Sequence, residues 1–545
     1  MTGKQIPVFS GGEKLFSAGS AQALDAQAPS WGLDPFALVE AAGRGCARIF
    51  TEVYPGFFSA SSPKIAVAAG SGNNGADAMV MLRTLILDGR VSPAASAVVI
   101  NRMPGAEDRT PRSEALRTLE KMGVLIYPWQ GAISKNGSAG IDERDVLARA
   151  DIIIDGIAGT GLRGPLSGAS GEMAAWIREC KKKAGTGVTG AGRPRIVSID
   201  IPSGNFDLFE PSMPIIQADL TLAIEPKKLC LYSPGARVFA GTIRSVKGIF
   251  PSGLMQTFDG PELLTWKQIR RRLPPIGPDA YKYDRGVAEI HAGSPGSAGA
   301  ARIAARGAQA AGAGIVRLLV DETLYPILAV SAGGIMVAPV KTSGGGGGMD
   351  PSEENRFYPD AVLLGPGWGR SPDRLPVLHK ALDREAEIPL ILDADAIALS
   401  RDLTFHGNTI LTPHLGEFTA FTGLSKEKIL SNSIPSVVDT ARKIRATILF
   451  KSHVLIIAGE DGRVGIVDGM APVLAAGGSG DLLAGFCLAI AARMKRGGYY
   501  DGYTCAAAAA ALLAKIGRAP DKAHSFADPL DLAEKAASLA GRAWL

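Results

Sequence analysis

Gly477-Gly478-Ser479-Gly480-Asp481 is a glycine-rich turn that runs directly into the apolar stretch from Leu482 to Ile490. This pattern predicts a buried helix whose first turn presents unpaired backbone N–H groups and the positive end of the helix dipole. The small residues let a phosphate approach those groups closely. Because a carboxylate repels phosphate, Asp481 is better suited to accept a proton from an attacking hydroxyl than to bind the anion. The alternative is an ordinary helix start with an acid near its cap.

The length and composition limit the classes of protein that this chain can belong to. Its 545 residues predict two to four globular domains, with 46% hydrophobic residues to form their cores. The net charge of +5 is spread over the whole length, so no nucleic-acid partner is expected. The scattered cysteines favour a reduced cytoplasm over disulfides or a zinc site. No signal peptide or bilayer-spanning run is evident, so no membrane partner is expected either.

Three predicted strands in the first half each end in a loop that is rich in glycine and polar residues. The loops are Gly70-Ser71-Gly72-Asn73-Asn74-Gly75-Ala76-Asp77, the stretch from Asp155 to Leu166, and Asp200-Ile201-Pro202-Ser203-Gly204. The alternation of strands and helices predicts an open parallel α/β sheet, whose strand ends line one crevice where ligands bind. The first loop formally matches a dinucleotide-binding fingerprint. The next strand, however, ends in Asn101-Arg102 without the ribose-binding acid, which disfavours an ordinary NAD dehydrogenase.

These loops resemble those of the N-terminal YjeF family, the NAD(P)H-hydrate epimerases, over nearly the whole first half. The resemblance implies a Rossmann-like three-layer domain over residues 1–253, with Asp200 as the acid/base for loss and return of hydroxide. It implies a K⁺ ion held by Asn74, Asp155 and Ser203, whose oxygen ligands suit a hard cation. The stretch Glu225-Pro226-Lys227 resembles the family's strand end and lysine. The residues implied to contact the hydrated nicotinamide nucleotide are Asn73, Asn74, Gly75, Ala76, Asp77, Gly159, Thr160, Gly161, Leu162, Arg163, Gly164 and Pro165.

The first loop departs from the family pattern at Ala76 and Ala78, where glycine is usual. Alanine costs about 1 kcal/mol or more wherever the backbone needs a positive φ. Its methyl group also obstructs any phosphate that lies against the loop. One alternative is therefore that the first half is a non-catalytic binding or regulatory module.

The chain after residue 253 reads as a linker followed by a second α/β unit. Residues 254–281 are rich in proline and charge and predict the linker, and residues 282–545 again alternate strands and helices. Three strand ends in this unit carry polar motifs in addition to the opening turn. They are Gly365-Pro366-Gly367-Trp368-Gly369, Leu392-Asp393-Ala394-Asp395-Ala396, and Thr412-Pro413-His414-Leu415-Gly416-Glu417.

This order of motifs resembles the ribokinase-like fold, and more closely the C-terminal YjeF family, the NAD(P)H-hydrate dehydratases. The resemblance implies that Ala300, Gly367, His414 and Asp481 contact the hydrated nucleotide. Mg²⁺ would neutralise the phosphates, with no firm ligand in the sequence. Ser452 departs from the pattern, since glycine usually follows the residue at Lys451. The residues implied to contact the adenine nucleotide are Lys451, Ser452, His453, Val454, Leu455, Gly478, Ser479 and Gly480.

The two resemblances together imply an enzyme that repairs NAD(P)H after hydration of its nicotinamide ring. The family phosphorylates the ring hydroxyl with ADP or ATP, and phosphate then departs; the epimerase half makes both hydrate epimers usable. The substrates would be NADHX and NADPHX, and a cytoplasmic homo-oligomer is expected. The competing hypothesis is a hydroxymethylpyrimidine or sugar kinase fused to a non-catalytic nucleotide-binding module.

Overall fold

The computed structural model of the chain divides into two compact units. The N-terminal unit is Lys14–Gly260, and the C-terminal unit begins at Pro261 and includes Glu13. No helix among the described residues is both long and apolar enough to cross a membrane. The residues that the structure describes are 12–58, 63–130, 142–183, 194–210, 212–330, 332–340, 358–384, 386–518 and 527–543.

The N-terminal unit is built on a seven-stranded sheet in which all paired strands run parallel. The first of these strands in the chain, Ile65–Ala69, lies between Ser96–Ile100 and Ile152–Gly156, so the strand order reverses there. This is the order of a doubly wound, Rossmann-like sheet, which binds ligands at the carboxyl ends of the strands beside the reversal. The full spatial order is Leu125–Pro128, Ser96–Ile100, Ile65–Ala69, Ile152–Gly156, Arg195–Ile199, Leu220–Ile224 and Thr242–Val246.

Helices cover both faces of this sheet because its central strands are apolar on both sides. Ile65 and Val67 point into one hydrophobic core, and Ala66 and Ala68 point into the other. The result is the predicted three-layer domain. The helices on the first face are Pro35–Val53, Asn73–Leu87 and Pro111–Lys121, and those on the second are Glu143–Ala148 and Gly168–Lys183. Outside these layers lie the helices Ala18–Gln27 and Ser252–Gln256, whereas the short strand Glu13–Lys14, where the division between the units falls, is not part of this sheet.

The sheet of the C-terminal unit is parallel through most of its width and antiparallel toward one edge. The strands from Met336–Val340 to Thr447–Phe450 run parallel, whereas Val454–Ala458 pairs antiparallel with both of its neighbours. This is an α/β unit, as predicted. The spatial order is Glu262–Leu263, Val464–Asp468, Val454–Ala458, Thr447–Phe450, Thr409–Leu411, Leu390–Leu392, Ala361–Leu364, Val287–His291, Ile315–Asp321 and Met336–Val340.

The two faces of this second sheet are also covered by helices. One core contains residues of Trp266–Ile269, Ala298–Ala310, Tyr325–Val330, Ser479–Arg496, Gly502–Gly517 and Pro529–Ala543. The other core contains residues of Leu375–Asp383 and Asp395–Leu399, with Leu415–Thr422 and Ser433–Ile444 packed at its margin. The short helix Lys426–Ser431 connects the last two.

The structure differs from the predicted linker over residues 254–281. Leu254 is fully buried in the N-terminal unit, and the C-terminal unit already begins at Pro261. Trp266 and Ile269 are 7% and 0% exposed in the core of the C-terminal unit. Proline and charged residues dominate the composition of this stretch, but it also contains a few large apolar residues. Burial of those residues contributes enough favourable free energy to fold the stretch into the two units.

Close packing of the helix Ser479–Arg496 against Ala298–Ala310 depends on a glycine. A Cβ atom added at Gly485 would lie 2.2 Å from the carbonyl oxygen of Ala304. We expect Gly485→Ala to lower the free energy of unfolding of the C-terminal unit by about 1–3 kcal/mol, because the two backbones must separate. Gly299→Ala on the partner helix is the matched control, since nothing lies within 4 Å of its added Cβ. Calorimetry that gives both variants the wild-type transition temperature would contradict this packing account.

Candidate functional site

A cavity of about 620 Å³ opens in the N-terminal unit where the strand order reverses. Strand ends form one part of its wall, and the helix Ala18–Gln27 contributes Ala21, Gln22 and Asp25 to another. The predicted residues that line the cavity are Asn73, Asn74, Asp77, Gly159, Thr160, Gly161, Leu162, Pro165 and Asp200. Three loops far apart in the sequence therefore meet in one site, as the parallel topology requires.

Four predicted substrate contacts do not line this cavity. Gly75 lies close to the backbone of Gly70, Ala76 is buried, and Arg163 and Gly164 do not line the cavity, although Leu162 and Pro165 on either side of them do. Ala76 and Ala78 are both fully buried in the core between helix and sheet, and neither has a positive φ. Their methyl groups therefore pack inward, and these two departures from the family pattern do not narrow the cavity.

Asp200 and Lys228 form a buried ion pair at the cavity. Lys228 Nζ lies 2.7 Å from Asp200 Oδ1 and also donates to the carbonyl oxygen of Ile224 at 2.9 Å. Asp200 directly follows the strand Arg195–Ile199 and has a left-handed backbone with φ 63°. Burial raises the pKa of Asp200, and the charge of Lys228 opposes that rise. The lysine of this site is thus Lys228, one residue beyond Lys227, which the motif comparison had selected.

Two further carboxyl groups reach the same cavity. Asp77 is 7% exposed, and its Oδ1 atom has no hydrogen-bond partner in the described structure. Burial raises the pKa of Asp77 well above its ordinary value, and the charges of Asp200 and Asp25 raise it further. Burial also raises the pKa of Asp25 to about 6. Asp77 therefore holds a proton more readily than an exposed carboxyl group does, and in its protonated form it can donate a hydrogen bond to a ligand.

The predicted K⁺ ligands lie around the loop that follows the strand Ile152–Gly156. Asp155 is fully buried and accepts hydrogen bonds from the Ser203 hydroxyl at 2.5 Å and the Ser198 hydroxyl at 2.7 Å. No ion pair to Asp155 exists among the described residues, and burial raises its pKa. The Asn74 amide is buried with its Nδ2 atom unpartnered, next to Gly159. Because the two amide atoms of asparagine are interchangeable by a flip, this donor set fits a hard cation.

The C-terminal unit has its own cleft, of about 240 Å³, at the start of the helix Ser479–Arg496. That helix begins after Gly478, which has a positive φ of 94°. A Cβ atom added at Gly477 would meet nothing within 4 Å, so the space over the turn is open. The predicted adenine-nucleotide contacts that line the cleft are Lys451, Ser452, His453, Leu455, Ser479 and Gly480.

Val454 is the predicted contact that the structure places in the interior. It is fully buried in the strand Val454–Ala458, and its backbone N–H donates to the Ser452 hydroxyl at 3.1 Å. Ser452, which replaces the usual glycine, therefore stabilises the turn before this strand.

Asp481 lies beside a charged network rather than in the wall of the cleft. Lys451 Nζ is 2.6 Å from Asp393 Oδ1 and 3.8 Å from Glu417 Oε2, and the Thr412 hydroxyl donates to Asp393 at 2.7 Å. Burial raises the pKa of Asp481 to about 7, with the charge of Asp393 adding to the rise and Lys451 opposing it. Burial alone lowers the pKa of Lys451, but the carboxylates outweigh it and raise that pKa overall. Asp481 is thus poised to exchange a proton near neutral pH.

Two of the remaining predicted contacts of the hydrated nucleotide, Gly367 and His414, follow the strands Ala361–Leu364 and Thr409–Leu411, and the third, Ala300, lies in the helix Ala298–Ala310. Gly367 has a positive φ of 55°, and a Cβ atom there would lie 3.0 Å from that of Ala300. His414 is exposed and caps the helix Leu415–Thr422, with its Nδ1 atom accepting the N–H of Glu417 at 3.1 Å. A backbone bridge pairs His414 with Lys451, so its motif adjoins the charged network.

Four charged side chains at these two sites were not among the predicted site residues. Asp25 and Lys228 enter the N-terminal cavity, whereas Asp393 and Glu417 surround Lys451 in the C-terminal unit. Asp393 and Glu417 belong to motifs already singled out, so acids in those motifs were an available signal. Asp25 follows no glycine loop and lies on an ordinary helix, so only the three-dimensional structure places it.

The fold and the two sites define an α/β enzyme with two separate clusters of buried charged residues, each at the carboxyl ends of parallel strands. The family model described as YjeF-related protein N-terminus matches residues 35–230, and the model described as NAD(P)H-hydrate dehydratase matches residues 288–538. The chain belongs to the family of bifunctional NAD(P)H-hydrate repair enzymes.

Relatives along the whole chain support this membership. The bifunctional NAD(P)H-hydrate repair enzyme of Salinibacter ruber is 30% identical over 94% of this chain and 93% of its own length. The enzyme of the same name from Moorella thermoacetica is 30% identical over 78% of each chain. A solved structure of the ADP/ATP-dependent NAD(P)H-hydrate dehydratase of Bacillus subtilis, co-crystallised with ATP and Mg²⁺, is 23% identical and has a TM-score of 0.44. The similarity covers 52% of this chain and 97% of the Bacillus subtilis chain.

Proposed function

We propose that the chain repairs hydrated NADH and NADPH in two steps. The N-terminal unit interconverts the R and S epimers, and the C-terminal unit dehydrates the S epimer with ADP or ATP. The observation that carries the proposal is the position of Asp481 in the first turn of the helix Ser479–Arg496. There, an acid whose pKa is about 7 lies beside the Lys451–Asp393 pair.

The chemistry of the C-terminal unit follows from the poor leaving ability of hydroxide. Asp481 takes the proton of the ring hydroxyl as its oxygen attacks the terminal phosphorus of the nucleotide. The backbone N–H groups of Gly478, Ser479 and Gly480 stabilise the charge on the transferred phosphoryl group. Phosphate then leaves with the C–O electron pair, the adjacent ring carbon gives its proton to solvent water, and NAD(P)H is restored. Lys451 lines the cleft beside Gly480, where its positive charge holds the nucleotide phosphates.

Two metal ions belong to the proposal. K⁺ would be held by Asn74, Asp155 and Ser203, where its charge compensates the buried carboxylate and fixes the loop that lines the cavity. For Mg²⁺, no group of three His, Cys, Asp or Glu side chains in the described parts of the chain forms a ready site. Mg²⁺ would therefore enter with the nucleotide phosphates, and we assign it no protein ligand. A homo-oligomer located in the cytoplasm stays a prediction, and light scattering on the purified chain tests the first part.

The decisive experiment for the C-terminal unit separates repair from simple phosphorylation. The purified full chain is incubated with the S epimer of hydrated NADH and ADP or ATP, and products are followed by absorbance and phosphate assay. Repair predicts one NADH and one phosphate for each hydrate consumed. A stable phosphorylated product from hydroxymethylpyrimidine or a sugar, with no NADH from the hydrate, would support the competing kinase hypothesis instead.

The pH dependence of dehydration reports on Asp481. As a base, Asp481 acts in its deprotonated form, and its pKa in the free protein is about 7. We therefore expect kcat/KM for the S epimer to rise about tenfold per pH unit below about pH 7 and to level off above it. Initial rates across buffers from about pH 5 to about pH 8.5 measure this profile. A rate that stays constant across that range would contradict the assignment of Asp481 as the base.

A further inference from the structure

The helix Ala18–Gln27 forms one wall of the N-terminal cavity. It carries one acid, Asp25, to which the proposed function assigns no role. The N–H of Ala18 donates to Asp207 Oδ2 at 2.8 Å, which fixes the start of the helix. Gln22 Nε2 donates to the carbonyl oxygen of Thr160 at 2.5 Å, which fixes the helix to a loop of the cavity. Asp25 follows Gln22 by three residues and therefore lies on the same side of the helix. Both residues line the cavity.

The carboxyl group of Asp25 is free to act on a ligand. No hydrogen bond or ion pair to the Asp25 carboxyl group occurs among the described residues, although Asp200 and Lys228 lie near enough for their charges to act on it. Asp77 lines the same cavity with one buried, unpartnered carboxyl oxygen. Two independent side chains therefore present unused polar atoms to the cavity, which is what a bound polar ligand would satisfy.

Exchange of the two hydrate epimers needs proton transfer on both faces of the nicotinamide ring. The hydroxyl leaves the ring carbon from one face, and water returns to that carbon from the other face. A single carboxyl group on one face can protonate the leaving hydroxyl or deprotonate the incoming water. It cannot do both, because it must lie within hydrogen-bond distance of the oxygen and the two oxygens are on opposite faces. The site therefore requires a second acid–base group on a different wall from Asp200.

We propose that Asp25 is the second catalytic acid–base residue of epimerisation and acts on the ring face opposite Asp200. This inference rests on the epimerase function proposed above. In one direction, the Asp25 carboxyl gives its proton to the hydroxyl, the C–O electron pair leaves with water, and the ring nitrogen lone pair forms a C=N⁺ bond. Water then adds from the other face and gives a proton to the Asp200 carboxylate. The reverse direction exchanges the two roles, and solvent returns the proton.

The test compares variants of the full chain on purified R epimer, with the S epimer resolved by chromatography. We expect Asp25→Asn to slow epimer exchange by about 100-fold or more, with unchanged dehydration of the S epimer by the C-terminal unit. Asp207→Asn is the matched control, because asparagine can still accept the N–H of Ala18 and this residue does not line the cavity. Its exchange rate should stay within about threefold of wild type.

Chemical rescue separates a catalytic role of Asp25 from a merely structural one. In Asp25→Ala, added formate should restore part of the exchange rate, because it can occupy the vacated space and carry the proton. If the wild-type chain exchanges the epimers and the Asp25→Asn variant does so at nearly the same rate, this inference is overturned and the epimerase function remains intact. Loss of exchange in Asp25→Ala without formate rescue would also overturn it. Wild-type chain that fails to exchange the epimers would overturn the epimerase function itself.

Discussion

Asp481→Asn should slow nucleotide-dependent dehydration of the S epimer by about 1,000-fold, within the range that loss of a general base produces. The amide cannot accept the hydroxyl proton, whereas the backbone N–H groups at the helix start remain available to the phosphates. Nucleotide affinity should therefore change little. Turnover measured by NADH absorbance and nucleotide binding measured by calorimetry together separate the chemical step from binding.

The stability of the Asp481→Asn variant distinguishes a catalytic loss from unfolding. The pKa of Asp481 is about 7 in the folded protein, above its ordinary value of 3.8. Folding therefore favours the protonated form, and the stability associated with that proton is lost as the pH rises through 7. A neutral amide avoids this loss, so the variant should be at least as stable as wild type at pH 8. Asp528→Asn, which changes an exposed acid at the start of another helix, is the control for turnover. An Asp481→Asn variant that retains turnover would exclude Asp481 as the base.

Asp200→Asn should abolish exchange of the R and S epimers, with a loss of about 1,000-fold or more, and should leave dehydration of the S epimer unchanged. Asp200 needs the left-handed backbone at φ 63°, a conformation that asparagine adopts more readily than most residues. The substitution therefore removes the proton acceptor without forcing the backbone to change. Exchange is measured by chromatography of the two epimers, and dehydration is measured by absorbance in the same preparation.

The ion pair of Asp200 with Lys228 requires its own control. Breaking a buried pair leaves one charge uncompensated and costs about 3–5 kcal/mol. The double variant Asp200→Asn with Lys228→Met removes both charges, so it should recover stability without recovering exchange. Asp151→Asn changes an exposed acid at the amino end of the strand Ile152–Gly156 and should keep the wild-type exchange rate. Epimer exchange that persists in the stable double variant would show that Asp200 is not the acid/base.

Much of the fold was predictable because the chain obeys simple rules of strand and helix alternation. Short apolar strands that end in glycine loops predict a parallel sheet, whereas the strand order and the antiparallel pairing of Val454–Ala458 come from the structure alone. The region around Trp266 was not predictable from composition, because a few buried residues outweigh many exposed prolines and charges. Whether Ala76 and Ala78 narrow the cavity was equally unpredictable, since the direction in which a methyl group points depends on the neighbouring helices.

The residues of the candidate sites were predictable where they belong to loop motifs. They were not predictable where tertiary packing alone brings them to the site. Asp200, Asp481 and Lys451 lie in motifs, and the structure brings each of them to a charged cluster. Lys228 was missed by one residue, because only the direction of its side chain distinguishes it from Lys227. Asp25 lies on a helix far from every motif, so its approach to Asp200 depends on the tertiary fold alone.

Incubation of the full chain with an equal mixture of R and S hydrates and excess ADP or ATP tests the central claim most directly. The regenerated dihydronicotinamide is followed by absorbance until the reaction stops. If Asp481 drives dehydration and Asp200 supplies its substrate from the other epimer, all of the hydrate should return to NADH. Conversion that stops when only the S epimer is consumed would contradict the role of the N-terminal unit, and no conversion at all would contradict the account as a whole.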